Sequence, residues 1–446
     1  MTEKDIVAES RGSQEKWSER RLAVKRLVTA DRDSPLQFIP CAVEVGDFVF
    51  VSSLYPVDRL GIAVTADPGL QYVRDNSITV QSRHCLTSLQ KVLERAGSSL
   101  EAVIKADVQL ASASDFYDFK LVWKEYFPSE PPVRTTLEVG DVFPFSGALL
   151  SLDAVALASG SRYRLETLSS PDVPDPMPAE WAPWAVKAGP FVFSSGFCAI
   201  DFGSGLAVGK RPQHPYYGSD AEMQAHFLFD NLNRVLARAG TSLAMAIKAQ
   251  LYEPDLDTFN DVDRVWGKYM AMPPTRSSMG VHGLLVPGAT FVTSLTVLVP
   301  DADHQKVESR AGIAFHPIDV REVNFSPVLK VGDWRFFAGM VASPDMQAYH
   351  AAPSGLPHHY SDIEEQVHFT LGLLGNQLEA NECDWQHVVL ARVFLVAPRR
   401  DYRGFLRAWQ QYFPAPTAGP ALALVPTTGA MFPGPIVEID LIGVAI

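Results

Sequence analysis

Trp123, Trp266 and Trp409 stand in the related strings VWKEYF, VWGKYM and AWQQYF, and both gaps between them are 143 residues. A period this long is a whole domain, well beyond the roughly 20–50 residues of a solenoid or propeller unit. The flanking text repeats too. LERAGSSLEAVIKADVQL around Gly97 returns as LARAGTSLAMAIKAQLYE around Gly240, and more loosely as LEANECDWQHVVLARVFL around Asn381. A length of 446 residues fits this, since a prior of roughly 150 residues per domain gives about three domains. The boundaries fall at 20–159, 160–303 and 304–446. Three like domains in one polypeptide can close into a pseudo-threefold ring, the covalent counterpart of a homotrimer. Function is then expected where the copies meet.

The first copy starts near Arg21 with RLAVKRLVTA, half apolar and compatible with a strand. CAVEVGDFVFVSS reads as two short strands joined at Val45-Gly46-Asp47, where glycine can take the positive φ of a tight hairpin. Val80, Cys85, Leu86, Leu89, Val92 and Leu93 then recur at helical spacing, and Gly97 is the stop. VIKADVQL (Val103–Leu110) reads as a strand. SASDFYDFKLVWKEYF reads as a second helix ended by Pro128, with Phe116, Phe119, Leu121, Trp123 and Phe127 largely internal. VRTTLEV and ALLSLDAVAL close the unit, giving the order β-β-β-α-β-α-β-β.

The other copies obey the same grammar. FVFSSG (Phe191–Gly196) and RFFAGM (Arg335–Met340) match FVFVSS, and Ser219-Asp220 and Ser361-Asp362 are suited to cap the first helices. Polar junctions at Ser159–Arg162 and in PDADHQKVES from Pro300 read as linkers. The class is α+β: a mixed sheet with two helices on one face, whose other face its sister sheets can cover.

Composition narrows the function. A net charge of −13 argues against non-specific nucleic-acid binding, which needs basic surface. No apolar run approaches the roughly 20 residues of a membrane helix, and MTEKDIVAESRGSQEKWSERR is too charged for a signal peptide. Cys41, Cys85, Cys198 and Cys383 lack CxxC or histidine pairing, as expected of reduced thiols in a cytoplasmic protein. With neither tetrahedral-site spacing nor a glycine-rich phosphate loop, no metal or organic cofactor is expected.

The string helix–AG–SL–strand–DF helix–W–YF–PPxR–strand, and above all PPVRT (Pro131–Thr135) and PPTRS (Pro273–Ser277), resembles the Rid family of RidA/YjgF-like proteins. The resemblance covers each copy nearly end to end. It implies chorismate-mutase-like domains closed into a pseudo-trimer, three clefts between copies, and no cofactor. It also implies hydrolysis of reactive enamines or imines with release of ammonia. In the family the PPxR arginine grips the substrate carboxylate, and a last-strand glutamate or a nearby carbonyl orients the attacking water.

Carried over residue by residue, the arginine falls on Arg134 and Arg276, with Pro420 in the third copy. The glutamate falls on Ser151, Thr293 and Glu438. The Ser-Gly pair becomes Ser52-Ser53, Ser195-Gly196 and Ala338-Gly339, and the aromatic of the preceding strand becomes Ile39, Ala182 and Phe325. A helix asparagine becomes Lys120, Asp263 and Leu406. No single copy keeps the whole set. Two copies keep the arginine without the acid, and the third keeps the acid without the arginine. The resemblance therefore makes Glu438 the catalytic candidate. Arg134, Arg276, Lys120, Thr136, Ser278, Phe325, Gly196 and Gly339 are the substrate-binding candidates.

A guanidinium is a planar fork matched to a carboxylate, which suits an interface arginine to anion binding, although an interdomain ion pair is the plain alternative. Glu438, one strand step from Asp440, could also be solvated or pair with a neighbouring copy. Lys120 adds positive charge beside Arg134, whereas Asp263 partly neutralises Arg276, so this reading favours Arg134 as the anion site by a modest margin. A second pattern, S-D-x-E-x-Q-x-H-F, puts His226 and His368 four residues after a glutamate, where capping and packing compete with metal or proton chemistry. The preceding loops carry His214, Tyr216, Tyr217, His358, His359 and Tyr360 as specificity candidates.

The expected function is a cofactor-independent hydrolase or deaminase of a C–N bond in a small carboxylate-bearing metabolite. A chorismatase-like hydrolase or lyase, and a non-catalytic metabolite-binding scaffold, stand as alternatives. A monomer, or a dimer of whole chains, is the expected assembly.

Overall fold

The computed structural model describes residues 22–28, 37–69, 75–174, 182–201, 205–207, 218–313, 324–342, 361–431 and 434–446. In the first copy β1 (Val24–Leu27), β2 (Ala42–Val45) and β3 (Phe48–Leu54) precede α1 (Ser77–Arg95). β4 (Val103–Leu110), α2 (Phe116–Tyr126), β5 (Val133–Glu138) and β6 (Leu150–Leu157) follow. The second copy repeats this as β7 (Leu165–Leu168), β8 (Ala185–Ala188), β9 (Phe191–Ser194), α3 (Asp220–Ala237), β10 (Ala246–Glu253), α4 (Phe259–Tyr269), β11 (Thr275–Gly280) and β12 (Val292–Leu298). The third supplies β13 (Lys306–Ser309), β14 (Val328–Val331), β15 (Trp334–Phe337), α5 (Asp362–Ala380), β16 (Val388–Leu395), α6 (Pro398–Tyr412), β17 (Ala421–Pro426) and β18 (Val437–Val444).

Each sheet runs in one spatial order: β1-β2-β3-β6-β4-β5, then β7-β8-β9-β12-β10-β11, then β13-β14-β15-β18-β16-β17. The pairs β4–β5, β10–β11 and β16–β17 are parallel, as strands joined through a helix must be, and the rest of each sheet is antiparallel. Gly46, at φ +54°, turns the first hairpin, and Gly97, at φ +72°, ends the first helix.

Two expectations need correction. Leu121 is 47% exposed, because Phe119, Val122 and Trp123 define the inward stripe of α2 and Leu121 lies off it. The tail of the second junction is no linker: Lys306–Ser309 is β13, hydrogen-bonded to β14. The tryptophans behave as core, with Trp123 and Trp266 at 0% exposure and Trp409 at 1%.

The helices cover one face of each sheet, as in the cluster of Leu86, Leu89, Ala106, Val108, Phe119 and Trp123. The opposite faces of all three sheets share another apolar cluster. At its middle, the equivalent residues Phe48, Phe191 and Trp334 touch in a triangle, with ring centroids 5.6 Å (Phe48–Trp334), 5.9 Å (Phe48–Phe191) and 5.9 Å (Phe191–Trp334) apart. Aromatic rings at such separations add to the area they bury.

Candidate functional site

The edge strands β5, β11 and β17 each lie against a different copy. Arg134 N–H donates to Ser195 Oγ at 3.0 Å and its carbonyl accepts from Gly196 N–H at 3.1 Å. One copy along, Gly339 N–H donates to the Arg276 carbonyl at 3.1 Å. At the third junction Leu422 and Leu424 N–H donate to Ser52 and Ser53 Oγ, both at 2.9 Å. A strand edge of one copy is thus matched to the strand end of another, and each junction mixes residues of two copies.

This mixing regroups the candidates. The junction of copies one and two holds Arg134, Lys120, Thr136 and Gly196. The guanidinium of Arg134 is buried over the rings of Trp123, Phe116 and Phe119 at 4.9, 5.3 and 5.7 Å, and burial pushes its pKa down to about 9. Lys120 Nζ lies 4.5 Å from the centre of the Tyr117 ring. Gly196 leaves no room for a side chain, since a Cβ there would sit 2.6 Å from Thr135 Cγ2.

The junction of copies two and three gathers Arg276, Ser278, Gly339, Glu438 and Phe325. Arg276 stacks on Phe259 and Trp266, each 5.0 Å from the ring centre. Its Nη1 lies 2.7 Å from Asp263 Oδ1, a contact of charges without the alignment of a hydrogen bond. Half-buried Phe325 is held between Asn324, which donates to Asp263 Oδ2 at 2.8 Å, and Ser326, which donates to the Pro273 carbonyl at 2.7 Å. A Cβ on Gly339 would collide with Glu438 Oε1 and lie 2.6 Å from Ser277 Oγ. The acid of copy three therefore fills the space beside the glycine that is bonded to Arg276 of copy two. The two residues that no copy holds together thus both border Gly339 at this junction, Arg276 through its backbone carbonyl and Glu438 through its carboxyl.

Burial dominates the electrostatics of Glu438. Its carboxyl is 6% exposed and is pushed up to about 8, first by desolvation and then by the charge of Asp440. Ser277, Lys248 and Arg276 pull it back only in part. Asp440 takes the nearest cation, Lys248 at 2.9 Å, and a hydrogen bond from Ser277 at 2.8 Å. At neutral pH the site thus offers a neutral acid that can give a proton, beside a fixed guanidinium.

Glu253 was missed in the sequence reading. It is 0% exposed, accepts from Thr258 Oγ1 at 3.2 Å, and is pushed up to about 8 by burial against the opposing pull of Thr258 and Arg276. The available signal was a carboxylate standing where the other copies carry Leu110 and Leu395.

The expectation of Pro420 at the arginine position of the third junction needs correction. Leu422 pairs with Ala391 as Arg134 and Arg276 pair with Ala106 and Ala249, so Leu422 and Leu424 take the places of arginine and hydroxyl and no anion anchor comes from that strand. The repeated histidines pack helix on helix. His226 Nδ1 is 3.0 Å from Tyr269 Oη, and the His368 ring lies 5.9 Å from Tyr412. Ser219 makes a capping box with Glu222, whereas Ser361 occupies the cap position without a bond to a backbone N–H of the helix, its hydroxyl instead serving the Glu364 carboxylate. His214, Tyr216, Tyr217, His358, His359 and Tyr360 lie outside the described residues. Among the described residues no His, Cys, Asp and Glu group is arranged for a metal ion, and no helix is long and apolar enough to cross a membrane.

A family model described as Endoribonuclease L-PSP matches residues 33–158, 174–292 and 320–445. A RutC family protein of Pyrococcus abyssi is 28% identical over 135 residues, 30% of this chain and 98% of that protein. The 3-aminoacrylate deaminase RutC of Acinetobacter baylyi is 32% identical over 119 residues, 27% of this chain and 85% of that protein. The crystal structure of yeast Mmf1 aligns at 22% identity with a TM-score of 0.25, covering 30% of this chain and 98% of that one.

Proposed function

Because the chain belongs to the Endoribonuclease L-PSP family, with three copies of the domain in one polypeptide, we propose that it is a cofactor-independent C–N hydrolase or deaminase acting at the junction of copies two and three. The observation that carries this is the meeting of Arg276 with Glu438 at Gly339. The substrate class is a small imine or enamine bearing a carboxylate, in keeping with the Acinetobacter relative, a 3-aminoacrylate deaminase.

Arg276 anchors the carboxylate. Asp263 engages Nη1, and a guanidinium has five N–H donors, so others remain for a ligand. Phe325 supplies an apolar wall, and Ser278 a hydroxyl on the Arg276 side of β11. Water then adds to the C=N carbon. Glu438 in its neutral form protonates the nitrogen, and its carboxylate accepts a proton from the attacking water. The C–N bond breaks, leaving a carbonyl and ammonia, so atoms and charge balance. The weight given to Arg134 on charge alone shifts to Arg276, because the proton-transfer group lies with Arg276.

Purified protein and 2-imino acids generated in place by an amino-acid oxidase provide the test, with ammonia release as the readout. Truncating one partner of a desolvated charged contact costs about 2–5 kcal/mol. Arg276→Ala should therefore lower kcat/KM at least about tenfold, while Arg134→Ala leaves it within about threefold. The reverse result moves the working site to the Arg134 junction. Full activity in both variants removes the arginines from the mechanism. Binding of an imino-acid analogue that depends on Arg276, without hydrolysis, would establish a binding protein instead.

A further inference from the structure

The third junction has lost the anion anchor but not the cavity. A pocket of about 290 Å³ lies there, between β3 and α1 of the first copy and β17 and α6 of the third. At the places that hold Arg134 and Thr136 in the first copy, and Arg276 and Ser278 in the second, the third has Leu422 and Leu424. Leu422 and Leu424 line the cavity together with Ile39 and Leu54, while its charged lining residues Asp58, Arg59 and Arg95 are exposed and Arg95 donates to the Val28 carbonyl. Leu60 and Ile62, just past lining residues Val57 to Arg59, are 69% and 60% exposed, an apolar approach on otherwise charged surface.

Two buried phenols line the cavity, Tyr55, which has Ser53 beside it, and Tyr402, and neither hydroxyl makes a hydrogen bond of good geometry among the described residues. Tyr402 lines the pocket, is 7% exposed, and its hydroxyl has no hydrogen-bond partner among the described residues. A buried phenol without a partner forfeits a hydrogen bond it would make in water, so such a group usually has one. Tyr402 stands where the first two copies carry Phe116 and Phe259, the rings on which their arginines stack. Arginine and hydroxyl each gave way to leucine, and phenylalanine to tyrosine. Together these changes turn a site for a carboxylate into one for an uncharged molecule with a hydrogen-bond acceptor. Burial raises the pKa of the phenol further, so it remains a donor at every physiological pH. Apolar cavities of about 150 Å³ already bind benzene, so the volume suffices for a ring with a small substituent.

We propose that this cavity is a second ligand site, selective for a neutral aromatic or alicyclic ring carrying a carbonyl, with the carbonyl accepting from the Tyr402 hydroxyl and the ring held between Leu422, Leu424 and Ile39. The site is independent of Arg276 and of the reaction assigned to it.

Acetophenone and benzoate, rings of similar size that differ in charge, are the probes, titrated into the full chain with saturation-transfer NMR and calorimetry as readouts. Acetophenone should bind one per chain and bind Arg276→Ala unchanged. Tyr402→Phe, which removes only the oxygen, should weaken it at least about threefold while leaving toluene binding unaltered. Leu422→Trp should abolish both. If that variant does not fold, Tyr402→Phe and the charge comparison still decide. Benzoate should not compete with acetophenone at this cavity. Equal binding of benzoate in competition, acetophenone binding that is indifferent to Tyr402→Phe, or no saturable acetophenone binding would each overturn the assignment.

Discussion

At the scale of single residues, two carboxyls dominate. Glu438 and Glu253 are both held near 8 by burial, far above the ordinary 4.5 of glutamate. A carboxyl whose pKa is higher folded than unfolded binds more protons in the native state between those two values. Stability then falls as pH rises from about 4.5 to about 8. Glu438→Gln should abolish its share of that fall. Relative to the parent, the variant should unfold at higher temperature at pH 8.5 than it does at pH 5, as read by calorimetry. A parallel offset at both pH values would show that Glu438 is not held protonated. The same substitution removes the proton-transfer group of the proposed reaction, where positioned acid–base groups contribute about 10²–10⁴-fold. Imino-acid turnover should drop by at least about 10²-fold with substrate binding retained, and a change confined to KM would make Glu438 a binding residue only.

At the scale of elements, the order of strands and helices was legible, while bounds such as those of β1, four residues where ten were read, were not. Val103–Leu110 is a strand of those bounds, buried along its length: Val103, Ala106, Val108 and Leu110 lie in the helix-covered core, Ile104 in the core shared by the sheets, and Asp107 meets Arg392 of the third copy. The caps were less legible, since a serine in the right place does not say which bond it makes. Ser219 accepts from Glu222 N–H, and Ser361 makes no such bond. Ser219→Ala should cost about 1 kcal/mol in chemical denaturation, and Ser361→Ala clearly less. Equal losses would mean that the two helix starts are held alike. The stripe of α2 was misread at Leu121 because aromatic density hid the phase of the helix, which Phe119, Val122 and Trp123 set.

At the scale of the whole molecule, every pair of copies shares contacts buried from water. Arg392 of the third copy reaches Asp107 at 2.8 Å and Asp153 at 3.1 Å in the first, and Lys248 of the second reaches Asp440 of the third. Removing one partner of a buried ion pair costs about 3–5 kcal/mol, because the remaining charge is stranded. Arg392→Ala, which strands Asp153 and leaves Asp107 with Lys105 alone, should lower unfolding free energy by about that, and a loss under about 1 kcal/mol would mean that water reaches the pair. Closure of the three copies into a pseudo-trimer within one chain predicts light scattering at 48.9 kDa, or at twice that for a dimer. A trimer of whole chains, or scattering from three beads on a string, would refute closure.

The sequence by itself determined what depends on neighbours along the chain: the 143-residue period, the order of strands and helices, the buried tryptophans, and the identity of the arginines and the acid. Those features are written in periodicity and local chemistry, which need no knowledge of distant contacts. Only the tertiary structure decided which residues share a site. Read copy by copy, Arg276 lacks its acid and Glu438 lacks its arginine. Because each edge strand lies against the next copy, residues 162 positions apart both border Gly339, which is the premise of the proposed site. Burial, which turns Glu438 into a neutral acid, is likewise a property of the packed junction and of no stretch of sequence.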